Sequence, residues 1–152
     1  MSDINVDNGF RQTESDGKNN KPRVGAFNAD ELVGVVKKTL NAVDTAGGVF
    51  SFQNDSGSDL IVDISFINVT TASTGACTVD IGVAANATTS DDTIIDGLDV
   101  NAATGVFNSI DDAGTNGGIG VLLPAGRYIT ASVATGASAG IVGSALIKYA
   151  RA

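Results

Sequence analysis

The chain has 152 residues, the length of one ordinary domain, and hydrophobic residues make up 43% of it, enough for a core of normal size. Its formal net charge of −8 argues against nucleic acid as a partner, because phosphate binding requires clustered Lys or Arg. His is absent and Cys occurs once, which excludes a Ser–His or Cys–His catalytic pair, a tetrahedral zinc site and an internal disulfide.

Small side chains dominate the apolar part of this sequence. Aromatic residues make up 5% of the chain, Trp is absent and Gly occurs 19 times, so each buried position removes less surface from water than in a Leu- or Phe-rich core. A chain of this composition gains stability by burying more surface in an oligomer. The lack of Trp also weakens a sugar-binding hypothesis, which usually requires exposed aromatic platforms. No apolar run approaches about 18 residues, so we expect neither a membrane span nor a signal peptide.

Residues 1–28 form a polar segment with no hydrophobic period. They are rich in Asn, Asp, Gly, Ser and Lys, a composition that buries too little apolar surface to offset the entropy lost on ordering. We therefore predict a flexible N-terminal arm over residues 1–28 and a folded domain over residues 29–152. Without a partner the arm would be a disordered tail. As a docking arm it would use Phe10, Val24 and Phe27 as anchors.

The segment from residue 29 to residue 45 fits two secondary structures. Its apolar residues recur at helix-like spacing, and Asn28 followed by Asp30 and Glu31 would cap a helix. Gly34 and the β-branched residues around it favour a strand instead. We predict a strand here, with a helix as the alternative.

Along the rest of the chain, apolar residues alternate with others at a period of two. The clearest example covers residues 77–84, and a longer one begins at Leu60. Phe50, Phe52 and Phe66 lie on the apolar faces of this pattern, so we expect them in the core. Besides the strand within 29–45, the predicted strands are 49–53, 60–67, 77–84, 121–123, 127–133 and 139–149. Short strands separated by turns predict an all-β fold, an antiparallel, jelly-roll-like β-sandwich of seven or eight strands.

The stretch from residue 85 to residue 118 is long, irregular and acidic. Between Lys38 and Arg127 the chain has eleven Asp residues and neither Lys nor Arg. Six of these Asp residues belong to the stretch: Asp91, Asp92, Asp96, Asp99, Asp111 and Asp112. Carboxylates on loops suit Ca²⁺, but no EF-hand sequence is present and Asp is also a common turn residue. We predict no metal and no other cofactor, with calcium as the alternative.

Catalysis finds no support in the pattern of titratable residues. Acid–base chemistry by two carboxylates would require one raised pKa in a closed pocket, and nothing in the sequence indicates such a pocket. Cys77 falls at a buried position of its predicted strand, so we interpret it as a structural thiol. We predict that the chain is not an enzyme.

Two parts of the sequence carry a resemblance to a known group of proteins. They are TTSDDTIIDGLDV at residues 88–100, and GRYIT at residues 126–130 followed by GIVGSALIKY at residues 140–149. With the strands around them, over residues 49–149, they resemble small head-surface proteins of tailed bacteriophages. These are called decoration, cement, knob or head-fibre proteins, and their bodies are β-sandwiches.

The resemblance implies a non-enzymatic structural protein of the virion, made in the host cytoplasm. It implies a homo-oligomer, with a trimer favoured, that binds the major capsid protein at the capsid surface and stabilises the shell. An N-terminal arm is a common attachment device in this group, so the expected capsid-binding residues are Phe10, Arg11, Lys21, Arg23, Val24 and Phe27. The alternative is a carbohydrate- or receptor-binding module of a phage tail or fibre, with a host-surface glycan as partner. Neither hypothesis involves nucleic acid or a membrane.

Overall fold

Residues 33–102 and 104–152 are described by the structure, which is a computed structural model. These residues form nine β-strands, and the strand expected within residues 29–45 is confirmed over Val33–Thr39. Among them no helix has the length and apolar character of a membrane span. The predicted arm, with its six expected capsid-binding residues, lies outside the described residues.

The strands pair antiparallel in two sheets. They are β1 (Val33–Thr39), β2 (Phe50–Gln53), β3 (Leu60–Thr71), β4 (Cys77–Ala84), β5 (Ile95–Asp99), β6 (Gly105–Asn108), β7 (Val121–Leu123), β8 (Tyr128–Gly136) and β9 (Val142–Arg151). The five-stranded sheet has the order β1-β9-β3-β6, with β7 also paired to β3. The four-stranded sheet has the order β2-β8-β4-β5.

This connectivity is that of a jelly roll with one added strand. The strands β6 and β7 share one edge of β3, since β6 pairs with residues 66–69 and β7 with residues 60–62. With β7 set aside and the other strands renumbered, the two sheets have the orders 1-8-3-6 and 2-7-4-5, as in a jelly roll. The predicted antiparallel sandwich is therefore confirmed, with nine strands.

Aliphatic side chains from both sheets fill the space between them. The largest fully buried ones include Leu60, Ile67, Ile81, Ile94, Ile95, Leu123, Ile129 and Ile147. The alternation predicted for the last strand is present in β9, where Ala145 and Ile147 are buried while Leu146 and Lys148 are exposed. Cys77 is buried and unpaired, as its strand position predicts.

A β-bulge at Asp63 interrupts the regular pairing of β3 with β9. Val62 lies opposite Tyr149 and Ile64 lies opposite Lys148, so Asp63 has no partner of its own. One extra residue in a strand turns every following side chain to the other face of the sheet.

The bulge determines which residues of β3 are buried. Ile67 lies in the core at 2% exposure, whereas Phe66 lies on the surface at 36% exposure. The prediction of a core position for Phe66 is therefore wrong. Phe50 is buried and Phe52 packs against the core, as expected.

The prediction that residues 85–118 are irregular throughout is also wrong, because the stretch contains β5 and β6. In β5, the buried side chains of Ile95 and Leu98 lie on the edge strand beside β4. In β6, Phe107 packs against the core from beside β3. Neither strand shows a period of two in the sequence, because Ile95 and Leu98 are three positions apart across a register shift and Val106 and Phe107 are adjacent.

Candidate interaction face

The outer surface of the five-stranded sheet exposes large apolar side chains from each of its strands. They are Val35, Phe66, Val106, Leu122, Val142 and Leu146, with exposed fractions from 36% to 65%. The half-buried Ile61 and Ile64 lie among them on β3. We call the surface formed by these eight residues the outer apolar face.

Strand pairing brings several of these side chains together, although Lys148, Ser144 and Asn68 lie among them. Phe66 lies opposite Leu146, and Ile61 lies opposite Leu122. Side chains directly opposite each other in an antiparallel pair have Cβ atoms about 5 Å apart, close enough for apolar contact. Lys37 lies opposite Leu146 on the other side, so the apolar area ends at a cation along β1.

The size of the face suggests part of an interface. Four strand positions at ~4.8 Å spacing and about seven residues at ~3.3 Å give an area of roughly 400 Å². This area also includes Asn68, Ser144 and Lys148, so its apolar part is smaller and is comparable to the patches that ordinary monomers expose, some of which are functional. A stable protein–protein interface needs about 800 Å² from each partner. The face therefore needs further contacts from elsewhere on the chain to form a stable interface.

Positive charge accompanies the outer apolar face. The described residues include five cations, Lys37, Lys38, Arg127, Lys148 and Arg151. Lys37 and Lys148 lie on the outer side of the sheet, opposite Leu146 and Ile64. Lys148 donates from Nζ to Asp63 Oδ2 at 2.6 Å, with both side chains about half exposed. An exposed ion pair of this kind contributes less than about 1 kcal/mol to folding. The charge of the face therefore affects the choice of partner more than it affects stability.

The outer surface of the four-stranded sheet has the opposite character. Thr130 points outwards on β8, yet it is buried and donates a hydrogen bond from Oγ1 to the carbonyl oxygen of Thr89 at 2.8 Å. On β4, a Cβ atom at Gly82 would collide with the carboxylate of Asp91 and with the backbone beside it. The polar loop that follows β4 therefore lies directly on this sheet, and only a residue without a side chain fits beneath it.

The carboxylates of the acidic stretch hold its loops together. Asp91 Oδ1 accepts hydrogen bonds from the backbone N–H groups of Val83 and Thr93, each at 3.0 Å. Asp99 Oδ1 accepts one from the N–H of Asn101 at 2.9 Å. Asp92 and Asp96 both accept hydrogen bonds from Asn116. Asp111 and Asp112 both accept hydrogen bonds from Asn108. In residues 33–102 and 104–152, no three His, Cys, Asp or Glu side chains come together in a way that could hold a metal ion.

Among the residues that the structure describes, three titratable groups have a shifted pKa, and each shift has a structural cause. Burial raises the pKa of Asp80, against the effect of the hydrogen bond that it accepts from the N–H of Gly97. Hydrogen bonds from the hydroxyl and the N–H of Ser138 lower the pKa of Asp44. Burial raises the pKa of the Cys77 thiol, so it stays protonated and is a weak nucleophile. These shifts follow from packing and turn formation.

A second group of exposed apolar residues lies on the segment between β6 and β7. Ile110 is 59% exposed and Ile119 is 54% exposed. The side-chain oxygen of Asn108 accepts hydrogen bonds from the N–H groups of Ile110 and Asp111, which fixes the turn where Ile110 is displayed. We call residues 109–119 the acidic loop, because Asp111 and Asp112 belong to it.

The acidic loop closes one lateral side of the sandwich. It leaves the five-stranded sheet at β6 and runs along β5 of the other sheet, where the N–H of Asp96 donates to the carbonyl oxygen of Ala113 at 2.8 Å. Gly114 has a φ of +76°, and a Cβ atom there would collide with the carbonyl oxygen of Asp96. Glycine is therefore required for the loop to approach β5 so closely.

The composition predicted further burial of surface in an oligomer without identifying the residues of an interface. The sequence contains the apolar residues of the outer apolar face, such as Val35 and Leu146. The regular alternation along β3, however, assigned Phe66 to the core. The bulge that moves it to the surface depends on pairing with β9, which is distant in the sequence. The expected attachment residues, Phe10, Arg11, Lys21, Arg23, Val24 and Phe27, lie outside the described part of the chain and remain predictions.

Comparison with known proteins gives a likeness in fold. No protein-family model and no curated protein matches the sequence. A chain in the solved structure of the capsid of Ralstonia phage GP4 is similar in fold, with a TM-score of 0.55 and 17% sequence identity. The match covers 82% of this chain and 86% of that one.

Proposed function

We propose that this chain is a non-enzymatic structural protein of a bacteriophage particle, bound to the outside of the capsid shell as a homo-oligomer, with a trimer favoured. The observation that carries the proposal is the outer apolar face, presented by a jelly roll that is similar in fold to a chain from a phage capsid structure. Large apolar side chains grouped on one exposed sheet face are typical of a protein–protein interface.

The use of the polar residues supports a structural role. Four of the six aspartates of the acidic stretch, Asp91, Asp96, Asp99 and Asp112, accept hydrogen bonds from backbone N–H groups. The one thiol of the chain, on Cys77, is buried. The polar side chains of this domain stabilise its long loops, and its exposed apolar side chains are available for contacts with other molecules.

Attachment to the shell combines two elements. The N-terminal arm, residues 1–28, supplies the anchors Phe10, Val24 and Phe27 together with the cations Arg11, Lys21 and Arg23. Copies associate through the outer apolar face, so several arms reach the shell together and their effective concentration makes a weak individual contact tight. A domain that binds only the assembled shell stabilises the shell by mass action, which is the cement function.

The test of attachment compares two arm variants with the whole chain. Deletion of residues 1–27 is expected to leave the oligomer intact and to abolish binding to empty capsids of the same phage, measured by co-sedimentation and by occupancy in electron micrographs. The control is Asn19→Ser with Asn20→Ser, which keeps the length and polarity of the arm and should bind like the unchanged protein. Full occupancy by the truncated protein would show that the arm is not the anchor. Failure of the whole chain to bind capsids would refute the proposed function.

A glycan- or receptor-binding module of a phage tail or fibre is the competing proposal. Sugar sites usually require exposed aromatic platforms, and within residues 33–102 and 104–152 Phe66 is the single aromatic side chain with an exposed position. It belongs to a flat apolar sheet face, which suits a protein partner better than a sugar. Measured binding to host-surface glycans, with no uptake by capsids, would favour this alternative.

A further inference from the structure

The two lateral sides of the sandwich carry opposite charges. On one side, β1 is an edge strand of the five-stranded sheet and carries Lys37 and Lys38. On the other side, the edge of the same sheet is formed by β6 and β7, and the acidic loop connects these two strands. The sequence anticipates this separation, since no cation occurs between Lys38 and Arg127.

Each side also exposes apolar side chains beside its charges. At the β1 side, Val35 is 62% exposed, Lys37 is exposed, and Leu146 lies opposite Lys37 on β9. We call these three residues the basic margin of the outer apolar face. On the acidic loop, Ile110 and Ile119 are exposed, and the exposed Asp111 follows Ile110 directly. The basic margin and the acidic loop therefore match in both polarity and charge.

Sheet topology prevents these two surfaces from meeting within one molecule. The basic margin lies on β1 and β9, the acidic loop connects β6 and β7 at the opposite edge of the same sheet, and β3 separates them. Contact between them requires two copies of the chain, and it joins different surfaces of the two copies. A contact of this kind closes into a ring when the rotation between neighbours divides a full turn.

We infer that the basic margin of one copy binds the acidic loop of the next copy in a closed ring. This inference deepens the proposed function, because it assigns the surfaces that build the homo-oligomer. Ile110 and Ile119 pack against Val35 and Leu146, and Asp111 lies near Lys37. The remainder of the outer apolar face, around Phe66, stays available within the ring for contact with the shell.

A two-fold dimer that joins two outer apolar faces fits the same residues less well. It would place Lys37 of one copy on a surface that carries the same cation. It would also leave Ile110 and Ile119 in water. Complementary charges guide the choice of partner and suppress incorrect pairings, so the ring contact is favoured.

A charge-swap experiment on the full-length chain tests the ring. The variants are Lys37→Glu, Asp111→Lys and the combination of both, with oligomer mass measured by light scattering over a dilution series. Each single exchange places like charges together and is expected to raise the concentration at which the oligomer dissociates by roughly tenfold or more. The combination restores complementary charge and is expected to recover most of the loss. Circular dichroism confirms that each variant is folded.

The matched control is Asp55→Lys. Asp55 is exposed in the turn between β2 and β3, and its exchange changes the net charge by as much as Asp111→Lys. The control is expected to dissociate like the unchanged chain.

Three results would overturn the ring. The first is that the unchanged chain is a monomer, and the second is that one of the single exchanges does not change the dissociation of the oligomer. The third is that the combined variant dissociates as readily as either single variant. If Lys37→Glu changes the dissociation of the oligomer and Asp111→Lys does not, the result would indicate the two-fold dimer. Capsid occupancy measured on the same proteins separates the two proposals. A chain that occupies capsids without the ring contact refutes only the ring, and a ring that never binds capsids refutes only the proposed function.

Discussion

Adjacent residues on β3 allow a direct test of the bulge at Asp63. Ile67 is 2% exposed and Phe66 is 36% exposed, although regular alternation from Leu60 would bury Phe66 and expose Ile67. We expect Ile67→Ala to lower the free energy of unfolding much more than Phe66→Ala does, even though Phe66→Ala removes more atoms.

The magnitudes follow from burial. Truncating a fully buried Ile to Ala removes its transfer free energy and leaves a cavity, at a cost of about 3–4 kcal/mol. Complete burial of a Phe side chain contributes about 1.5–3 kcal/mol. Phe66 is only partly covered and its removal leaves no closed cavity, so we expect a cost of about 1 kcal/mol. For a domain of this size, the corresponding changes in Tm are roughly 12 °C or more for Ile67→Ala and about 4 °C for Phe66→Ala.

Equilibrium denaturation in urea is the appropriate assay, with circular dichroism as the signal and protein concentrations that differ a hundredfold. Stability lost from an oligomer interface depends on protein concentration, whereas stability lost from the core does not. Ile67→Val, with an expected cost of about 1 kcal/mol, gives a measurable value if Ile67→Ala does not fold. An equal or larger concentration-independent loss for Phe66→Ala would refute the bulge and the outward position of Phe66.

Two further predictions concern single polar groups. The hydroxyl of Ser65 is fully buried and has no hydrogen-bond partner. Ser65→Ala is therefore expected to raise the free energy of unfolding by about 1 kcal/mol. A loss of stability in the same urea assay would show that the hydroxyl is hydrogen-bonded in the folded protein. The lowered pKa of Asp44 means that its hydrogen bonds with Ser138 stabilise the fold fully above the unfolded-state pKa of about 3.9, and that this contribution is lost as the pH falls through the folded-state pKa. Asp44→Asn should therefore lower Tm at neutral pH and approach the unchanged protein in acid, and a difference in Tm that is constant with pH would contradict the role of the charge.

The candidate interaction face shows how far local sequence patterns extend. Alternation in β9 correctly predicted that Ile147 points inwards and implied that Leu146 points outwards. Continued along β3, the same rule failed after Asp63, because a bulge forms where two distant strands pair and leaves no mark on the alternation. The apolar residues of the face were visible in the sequence, but their common location required the order of the strands in the sheet.

For the acidic stretch, residues 85–118, the sequence predicted the role of the Asp residues but not the strands. Its Asp residues were correctly related to turns, since Asp91 and Asp99 accept backbone hydrogen bonds within their own loops. The strands β5 and β6 were missed, because their sequences do not alternate and they form by pairing with β4 and β3. The location of the acidic loop opposite β1 could not be predicted without the topology.

Local composition and the period of two determined an all-β antiparallel sandwich with an acidic body, because each of these properties depends on neighbours within about ten residues. The tertiary structure decided the strand order, the bulge that places Phe66 outside, and the placement of Lys37 and the acidic loop on opposite sides of the sandwich. These features arise from pairing between strands that are far apart in the chain. The hydrogen-bond register between strands therefore determines which residues share a surface. Local sequence patterns do not predict that register.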